Sequence, residues 1–394
     1  MSEENFPAAA PDSQSAKKKR LLCLSGLIAL VVGGVAFWLT RPDPLPEGVT
    51  VEQFAKAAEQ FRNQYEREPD RMDVLSFAGE LAMVDGRHKD AVACFATIPS
   101  AHPAYGLSAR LQEGHAFLKL NRASAAEKSL REFLTLATRA PGVAQENVFA
   151  ARKQLAFLLS VELRLEERQA VLRAAHETGA VDVFDSKQFF FPHLLLWNSE
   201  TGSKRLARFL KVDPQNRHLR IAHARYIASR GQLEEAITQL DGVLGETPDN
   251  VRAVSALLEC FFLADDWVRF NDLYKMFPDY QVAEPWLMTR MRGHWEMHNK
   301  EWKNAAERFR QVLAADRTNP WAQRGLAQAL KGLGEEESAW EATTRSAVIA
   351  KIRADLGRSE DSASLNELAD DCTKIGLPDA ASVFRQHAKS LQHD

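Results

Sequence analysis

The sequence is short of the cysteines that disulfide scaffolds and redox centres need. Its 394 residues include four, Cys23, Cys94, Cys260 and Cys372, and no two of them form a CxxC pair. A zinc ribbon and a thioredoxin-like redox motif are therefore excluded. We expect unpaired thiols of the kind that packs in a hydrophobic core.

The motifs of common nucleotide-binding and hydrolytic enzymes are also missing. The chain has no GxGxxG, no P-loop, no GxSxG and no HExxH. His294 and His298 are spaced to share a helix face, but Glu296 between them is misplaced for a metalloprotease and no third ligand is evident. We therefore predict that the chain is not an enzyme and holds no metal and no cofactor. An irregular site in the loops near 141 or 357 is the enzymatic alternative.

Excess positive charge is confined to the N-terminus. Lys17, Lys18, Lys19 and Arg20 form a basic cluster, yet 50 Lys and Arg face 53 Asp and Glu in the whole chain, for a net charge of -3. A mildly acidic body lacks the basic footprint that nucleic-acid binding requires. We predict no nucleic-acid partner, and no small-molecule substrate is evident.

One long apolar run is present. Residues 21–39, LLCLSGLIALVVGGVAFWL, carry no charge and have the length of a transmembrane helix. A cleaved signal peptide would have a shorter apolar core and a small-residue cleavage site, whereas this run ends in Phe37, Trp38 and Leu39. Because the basic cluster precedes the run, we predict a single-pass anchor with the N-terminus in the cytoplasm. The body then lies on the non-cytoplasmic side, which is the periplasm in a bacterium.

The anchor divides the chain into segments of different composition. Ser25, Ala29 and Gly33 recur every four residues within it, so pairing of two anchors into a homo-oligomer stays an open alternative. The predicted segments are a disordered basic cytoplasmic tail (1–20), the transmembrane helix (21–39), a Pro-rich linker (40–50), a capping helix (51–71) and a helical body (72–394).

Beyond residue 50, a pattern of small and apolar residues returns with a period of about 34 residues. Pro214 and Pro248 bound the clearest unit, which contains Ala236, and Ala305 and Ala339 are also one period apart. Helix-pair repeats are predicted to begin near residues 72, 107, 149, 183, 217, 251, 286, 320 and 362. Two of these steps are 42, which predicts loop insertions near 141 and 357.

This spacing resembles that of the tetratricopeptide-repeat (TPR) family. In the first unit the pattern is carried by Leu75, Gly79, Ala82, Ala91 and Phe95. The resemblance extends over residues 72–394 and implies an all-α, right-handed solenoid of stacked helix pairs. It also implies that the alanines and glycines are small because two helices cross closely there, and that the protein binds other proteins.

The resemblance further implies that positions 2, 5, 9, 12 and 13 of each first helix line a peptide-binding groove. Position 9 is Arg225, Glu259, His294 or Gln328, so the asparagines of carboxylate-clamp members are missing. Arginine forks and an indole suit carboxylates, and we predict an acidic segment or a free C-terminus as the ligand. The predicted partner-binding residues are His218, Arg225, Arg252, Arg290, His294, His298, Trp321, Arg324, Gln328 and Lys331.

The sequence thus favours a membrane-anchored scaffold or assembly factor for partner proteins or peptide segments. Two alternatives remain at this point: a cytosol-facing TPR receptor on an organelle surface, and a purely structural protein that self-associates. The aromatic run at residues 189–197 is too short to span a bilayer. We interpret it as core, with an exposed hydrophobic partner patch as the alternative.

Overall fold

The structure of the chain is a computed structural model, and it describes residues 71–140, 142–178, 183–192, 200–277, 284–355 and 361–392. The predicted tail, transmembrane helix and linker lie outside these residues, as does the predicted capping helix up to residue 70. No helix within them combines the length and the hydrophobicity needed to cross a membrane. All of them belong to the compact unit Tyr65–Asp394.

The described residues form eighteen α-helices and no strand, which confirms the all-α prediction. The helices are α1 (Met72–Val84), α2 (His88–Thr97), α3 (Gly106–Lys119), α4 (Ala123–Ala137), α5 (Gln145–Val161), α6 (Leu165–His176), α7 (Val183–Phe190), α8 (Glu200–Val212), α9 (Arg217–Ala228), α10 (Leu233–Glu246), α11 (Val251–Leu263), α12 (Trp267–Lys275), α13 (Trp286–His298), α14 (Trp302–Ala315), α15 (Pro320–Gly332), α16 (Glu336–Asp355), α17 (Ser362–Lys374) and α18 (Pro378–Ser390).

Except for α7 and α8, these helices pack as consecutive pairs, from α1–α2 to α17–α18, and most pairs pack against the next one along the chain. The first helices begin at residues 72, 106, 145, 183, 217, 251, 286, 320 and 362. The predicted starts agree to within one residue, except that α5 begins four residues early. Helix pairs stacked on their neighbours are the arrangement that the TPR resemblance implies.

The turn inside each regular pair contains one residue with a left-handed backbone. Glycine takes this position in some turns, such as Gly231 (φ 85°) and Gly334 (φ 78°). In the other described turns the left-handed position holds a residue with a Cβ, which adopts this conformation at a steric cost. These residues are Asn121, Leu163, Asp265 and Lys300. The same strained position therefore recurs at the period of the repeat.

Three first helices share an asparagine N-cap. The side-chain oxygens of Asn216, Asn250 and Asn319 accept hydrogen bonds of 3.1, 3.1 and 3.0 Å from the backbone N–H three residues later. Each bond satisfies a donor that the first turn of a helix leaves without a partner. These asparagines define where α9, α11 and α15 begin.

Small residues lie where two helices cross, as predicted. Ala91, Ala236 and Ala305 have no exposed surface. A Cβ added at Gly79 would lie 2.6 Å from the ring of Phe95, so only glycine fits at that crossing. Filling these contacts would force the helices apart.

The unit predicted to begin at 183 departs from the regular pattern. Helix α7 has only eight residues and packs against α6 and α18, whereas α8 packs against α9 and α5. Phe191 is fully buried and stacks on Phe384 with ring centroids 5.9 Å apart, and Arg168 of α6 donates a 2.7 Å hydrogen bond to the Gln188 carbonyl. The described part of the aromatic run is thus core, shared with the C-terminal pair.

The 42-residue step near 357 does not arise from a loop alone. Helix α16 continues to Asp355 and is 20 residues long, the longest of the described helices. The segment predicted as a loop therefore begins as helix, and residues 356–360 lie outside the described part. This extension moves the final pair along α16.

Candidate partner-binding surface

The predicted partner-binding residues divide between two pockets on the first helices α9, α11, α13 and α15. His218, Arg225, Arg252 and Arg290 line one, which we call the basic pocket. The other is the aromatic pocket, whose lining includes the predicted residues His294, His298, Gln328 and Lys331. Trp321 and Arg324 line neither of these two pockets.

The basic pocket is closed on one side by the chain itself. Glu162 and Glu166, from either side of the turn between α5 and α6, form part of its wall. Glu166 accepts a 2.8 Å hydrogen bond from the backbone N–H of Trp286 and lies 3.3 Å from a guanidinium nitrogen of Arg252. The remaining volume is about 40 Å³, which is room for very little beyond water.

The arginines of the basic pocket are paired with glutamates of the chain. Arg225 Nε donates a 2.8 Å hydrogen bond to Glu259, and Arg290 binds the other oxygen of the same carboxylate. Burial alone would raise the pKa of Glu259, but the two guanidinium groups outweigh it and lower the pKa to about 2. Arg290 also lies over the ring of Trp321, 5.0 Å from its centroid. This cation–π contact gives Trp321, a predicted partner-binding residue, a role within the fold.

The histidine of the basic pocket is neutral. Burial lowers the pKa of His218 to about 4, and the nearby charges of Arg164 and Arg252 act in the same direction. The charges of this pocket therefore come from Arg225, Arg252 and Arg290, and each of these arginines forms an ion pair with a glutamate of the chain. Most of the cations predicted to bind a partner thus have ionic partners within the fold.

The aromatic pocket is formed by stacked rings. Phe262 and His294 stack with centroids 4.1 Å apart, and Trp267 and His298 stack at 3.9 Å. Trp302 forms a further wall, and the pocket has a volume of about 450 Å³. Volumes of this size hold a large side chain or a small ligand.

The charge in the aromatic pocket comes from Lys331. Among the described residues, no aspartate or glutamate lines the pocket. Burial, with the charge of Arg290, lowers the pKa of His294 to about 3, so this ring is neutral at physiological pH. Lys331 and Gln328 are exposed, and within the described residues neither side chain forms a hydrogen bond or an ion pair.

The sequence pattern predicted His294 and His298 in this pocket but not its two indoles. Trp267 and Trp302 begin the second helices α12 and α14, where the TPR groove positions do not reach. Their spacing, one residue more than the repeat length, was the available signal. A Cβ added at Gly332 would lie 2.4 Å from the Trp302 indole, so glycine at that point makes room for the ring.

One cluster within the described residues has the composition of a metal site. The carboxylates of Asp355, Glu367 and Asp371 lie within 4.8 Å of one another. Lys351 Nζ is 2.8 Å from Glu367 and 2.5 Å from Asp371, and Lys374 is 2.6 Å from Asp371. The two lysines offset most of the charge of the three carboxylates and account for the cluster as an ion-pair network.

No protein-family model and no curated protein matches the sequence. Solved structures of TPR proteins are similar to it. A TPR protein from Parabacteroides merdae is 14% identical, with 66% of this chain and 98% of that chain covered and a TM-score of 0.32. The Cut9–Hcn1 hetero-tetramer of APC/C is 14% identical, with 82% of this chain and 67% of that chain covered and a TM-score of 0.38. The P58(IPK) TPR domain is 16% identical, with 86% of this chain and 88% of that chain covered and a TM-score of 0.27. At these values the fold assignment rests on the helix pairs described above.

Proposed function

We propose that the chain is a membrane-anchored scaffold that binds a segment of a partner protein at the aromatic pocket and along α15. The observation that carries the proposal is the contrast between the two pockets. The arginines of the basic pocket are bound to the chain's own glutamates, whereas the aromatic pocket is open, about 450 Å³ in volume, and bordered by an exposed lysine. An open pocket of rings with a polar rim is the usual form of a binding site.

The lining defines the chemistry of the partner segment. An apolar or aromatic side chain fits among Trp267, His298 and Trp302, where ring stacking contributes about 0.5–1.5 kcal/mol beyond burial. Arg324, Gln328 and Lys331 are exposed on α15 and spaced by four and three residues, so they share one face of the helix. An acidic group beside the apolar side chain pairs with this face.

The proposed anchor is residues 21–39, supported by the uncharged apolar run and the basic cluster before it. Anchoring confines the binding surface to a membrane and raises the effective concentration of partners there. We place the body on the non-cytoplasmic side. A C-terminal tag that resists protease added to the cytosolic side of the sealed membrane supports this topology. A tag that this protease digests supports the organelle-surface receptor instead.

A photo-crosslinking amino acid at Gln328 tests the binding surface in intact membranes. We expect one dominant protein adduct, whose crosslinked peptide contains an apolar side chain next to acidic residues. The adduct should be lost when Lys331→Glu or Trp302→Ala is added.

Gln311 provides the matched control, because it is an exposed glutamine on α14, outside both pockets. The same adduct from both positions, or an adduct at Gln328 that survives both second substitutions, contradicts the proposed surface.

A further inference from the structure

Helix α14 shows how the second helix of one repeat packs against the first helix of the next. Ala306 and Phe309 have no exposed surface, and the half-buried Leu313 packs against the same core, which includes residues of α15. The contact is close, since a Cβ added at Gly325 of α15 would lie 2.4 Å from the Phe309 ring. Ala306, Phe309 and Leu313 define the stacking face of a second helix.

The corresponding face of α16 is not covered by any described residue. Trp340, Thr343 and Ala347 occupy the same three positions one repeat later. Trp340 is 68% exposed, and Thr343 and Ala347 are exposed as well. The Thr343 hydroxyl donates a 2.8 Å hydrogen bond to the Ala339 carbonyl, so an apolar surface can cover it without leaving a polar group unpaired. We call Trp340, Thr343 and Ala347 the uncovered face.

This face is left uncovered because the final helix pair, α17 and α18, packs further along α16. Ile349 and Ile352 of α16 are fully buried in the core that contains α17 and α18. The position equivalent to Phe309 is Thr343, and Ile349 lies six positions beyond it. The final pair thus packs on α16 about 9 Å further along the helix than Thr343 and about 120° away from it around the helix axis.

The surroundings of the uncovered face are acidic. Glu336, Glu337 and Glu341 are exposed beside Trp340, and within the described residues none of them forms an ion pair. Arg345 lies one turn further on. An exposed indole of this size is the kind of residue that dominates the free energy of protein interfaces, and these carboxylates attract a cationic partner.

We propose that the uncovered face binds a basic amphipathic helix of a partner protein, which stacks on α16 as α15 stacks on α14. The apolar side of the helix covers Trp340 and Ala347. Its lysines and arginines pair with Glu337 and Glu341, and a guanidinium on the indole adds a cation–π contact. This site is separate from the aromatic pocket and takes a partner of opposite charge.

The test uses two synthetic helical peptides that share one leucine face and differ only in carrying lysine and arginine or glutamate on the other. Their binding to the full chain in a neutral detergent is measured by fluorescence anisotropy, with detergent alone as the blank. We expect the basic peptide to bind, and Trp340→Glu and the double variant Glu337→Lys/Glu341→Lys each to weaken it at least tenfold.

Val268→Glu is the matched control, because Val268 is an apolar side chain 74% exposed on α12, far along the chain from the uncovered face. It should leave binding unchanged. Equal binding of both peptides, no binding of the basic one, or the same affinity after Trp340→Glu overturns the proposal. A dimer that Trp340→Glu converts to a monomer in light scattering also overturns it, since the occupant is then a second copy.

Discussion

Arg225 and Glu259, which lie one repeat apart, form a 2.8 Å ion pair between neighbouring first helices. The repeat places them at equivalent positions of α9 and α11, so complementary charges meet side by side. The pair gives a structural role to an arginine that sequence reasoning assigned to a partner. It also suggests that exposed cations, such as Lys331, are the ones available for binding.

Glu259→Gln should lower the free energy of unfolding by about 3 kcal/mol, because it removes the carboxylate charge that pairs with both Arg225 and Arg290 in a largely buried site. We use the lower end of the range for buried pairs because the Glu259 side chain is 16% exposed. Urea denaturation followed by circular dichroism measures the loss.

Glu246→Gln is the control for that experiment. Glu246 binds Arg220 at 2.6 Å but is 49% exposed, so the loss should stay below about 1 kcal/mol. Equal losses for Glu246→Gln and Glu259→Gln would show that the ion pairs of Glu259 stabilise the protein no more than an exposed surface pair does.

Stability should fall as the pH drops from 7.5 to 5. Burial lowers the pKa of His218 to about 4 and that of His294 to about 3. In the unfolded chain both titrate near 6.5, so below that pH the unfolded state takes up protons that the folded state does not, and stability is lost. Urea midpoints across this range measure the effect, and His294→Gln should reduce it. A pH-independent midpoint contradicts the assignment of neutral, buried rings.

Lys300→Gly should stabilise the protein by about 0.5–1 kcal/mol. Lys300 is exposed and has φ of 62°, a conformation that costs a residue with a Cβ more than it costs glycine. The greater freedom of glycine in the unfolded chain offsets part of the gain. Thermal unfolding measures it. Gly231→Ala, at an equivalent turn with φ of 85°, should change stability in the opposite direction.

Ala305→Leu should destabilise the protein by about 1–3 kcal/mol, because Ala305 is fully buried where α13 and α14 cross and a larger side chain overpacks that contact. Ala314→Leu, on the exposed side of α14, should change stability by less than about 0.5 kcal/mol. Equal effects at the two positions would mean that the helices do not cross as described.

Much of the fold could be predicted because the repeat is local. Each pair needs only its neighbours to bury its apolar face, so the period of the sequence locates nearly every first helix. The packing of α7 against α18 could not be predicted in this way. Phe191 and Phe384 meet although they are far apart in the chain, and no local pattern reports such a contact.

The candidate site was only partly predictable for a related reason. Transferring TPR groove positions identified Gln328 and Lys331 but treated every cation as available. Whether an arginine is free depends on its neighbours one repeat away, as Arg225 and Glu259 show. Trp302 was missed because it belongs to a second helix, yet it forms a wall of the pocket.

A charge exchange tests the central claim most directly. The partner segment identified by crosslinking at Gln328 would be titrated calorimetrically against the full chain in detergent. Lys331→Glu should weaken binding at least tenfold, and replacing the facing acidic residue of the segment by lysine should restore most of the affinity for that variant. If Lys331→Glu binds the original segment as tightly as the unaltered chain does, the partner does not lie along α15 and the proposed surface is wrong.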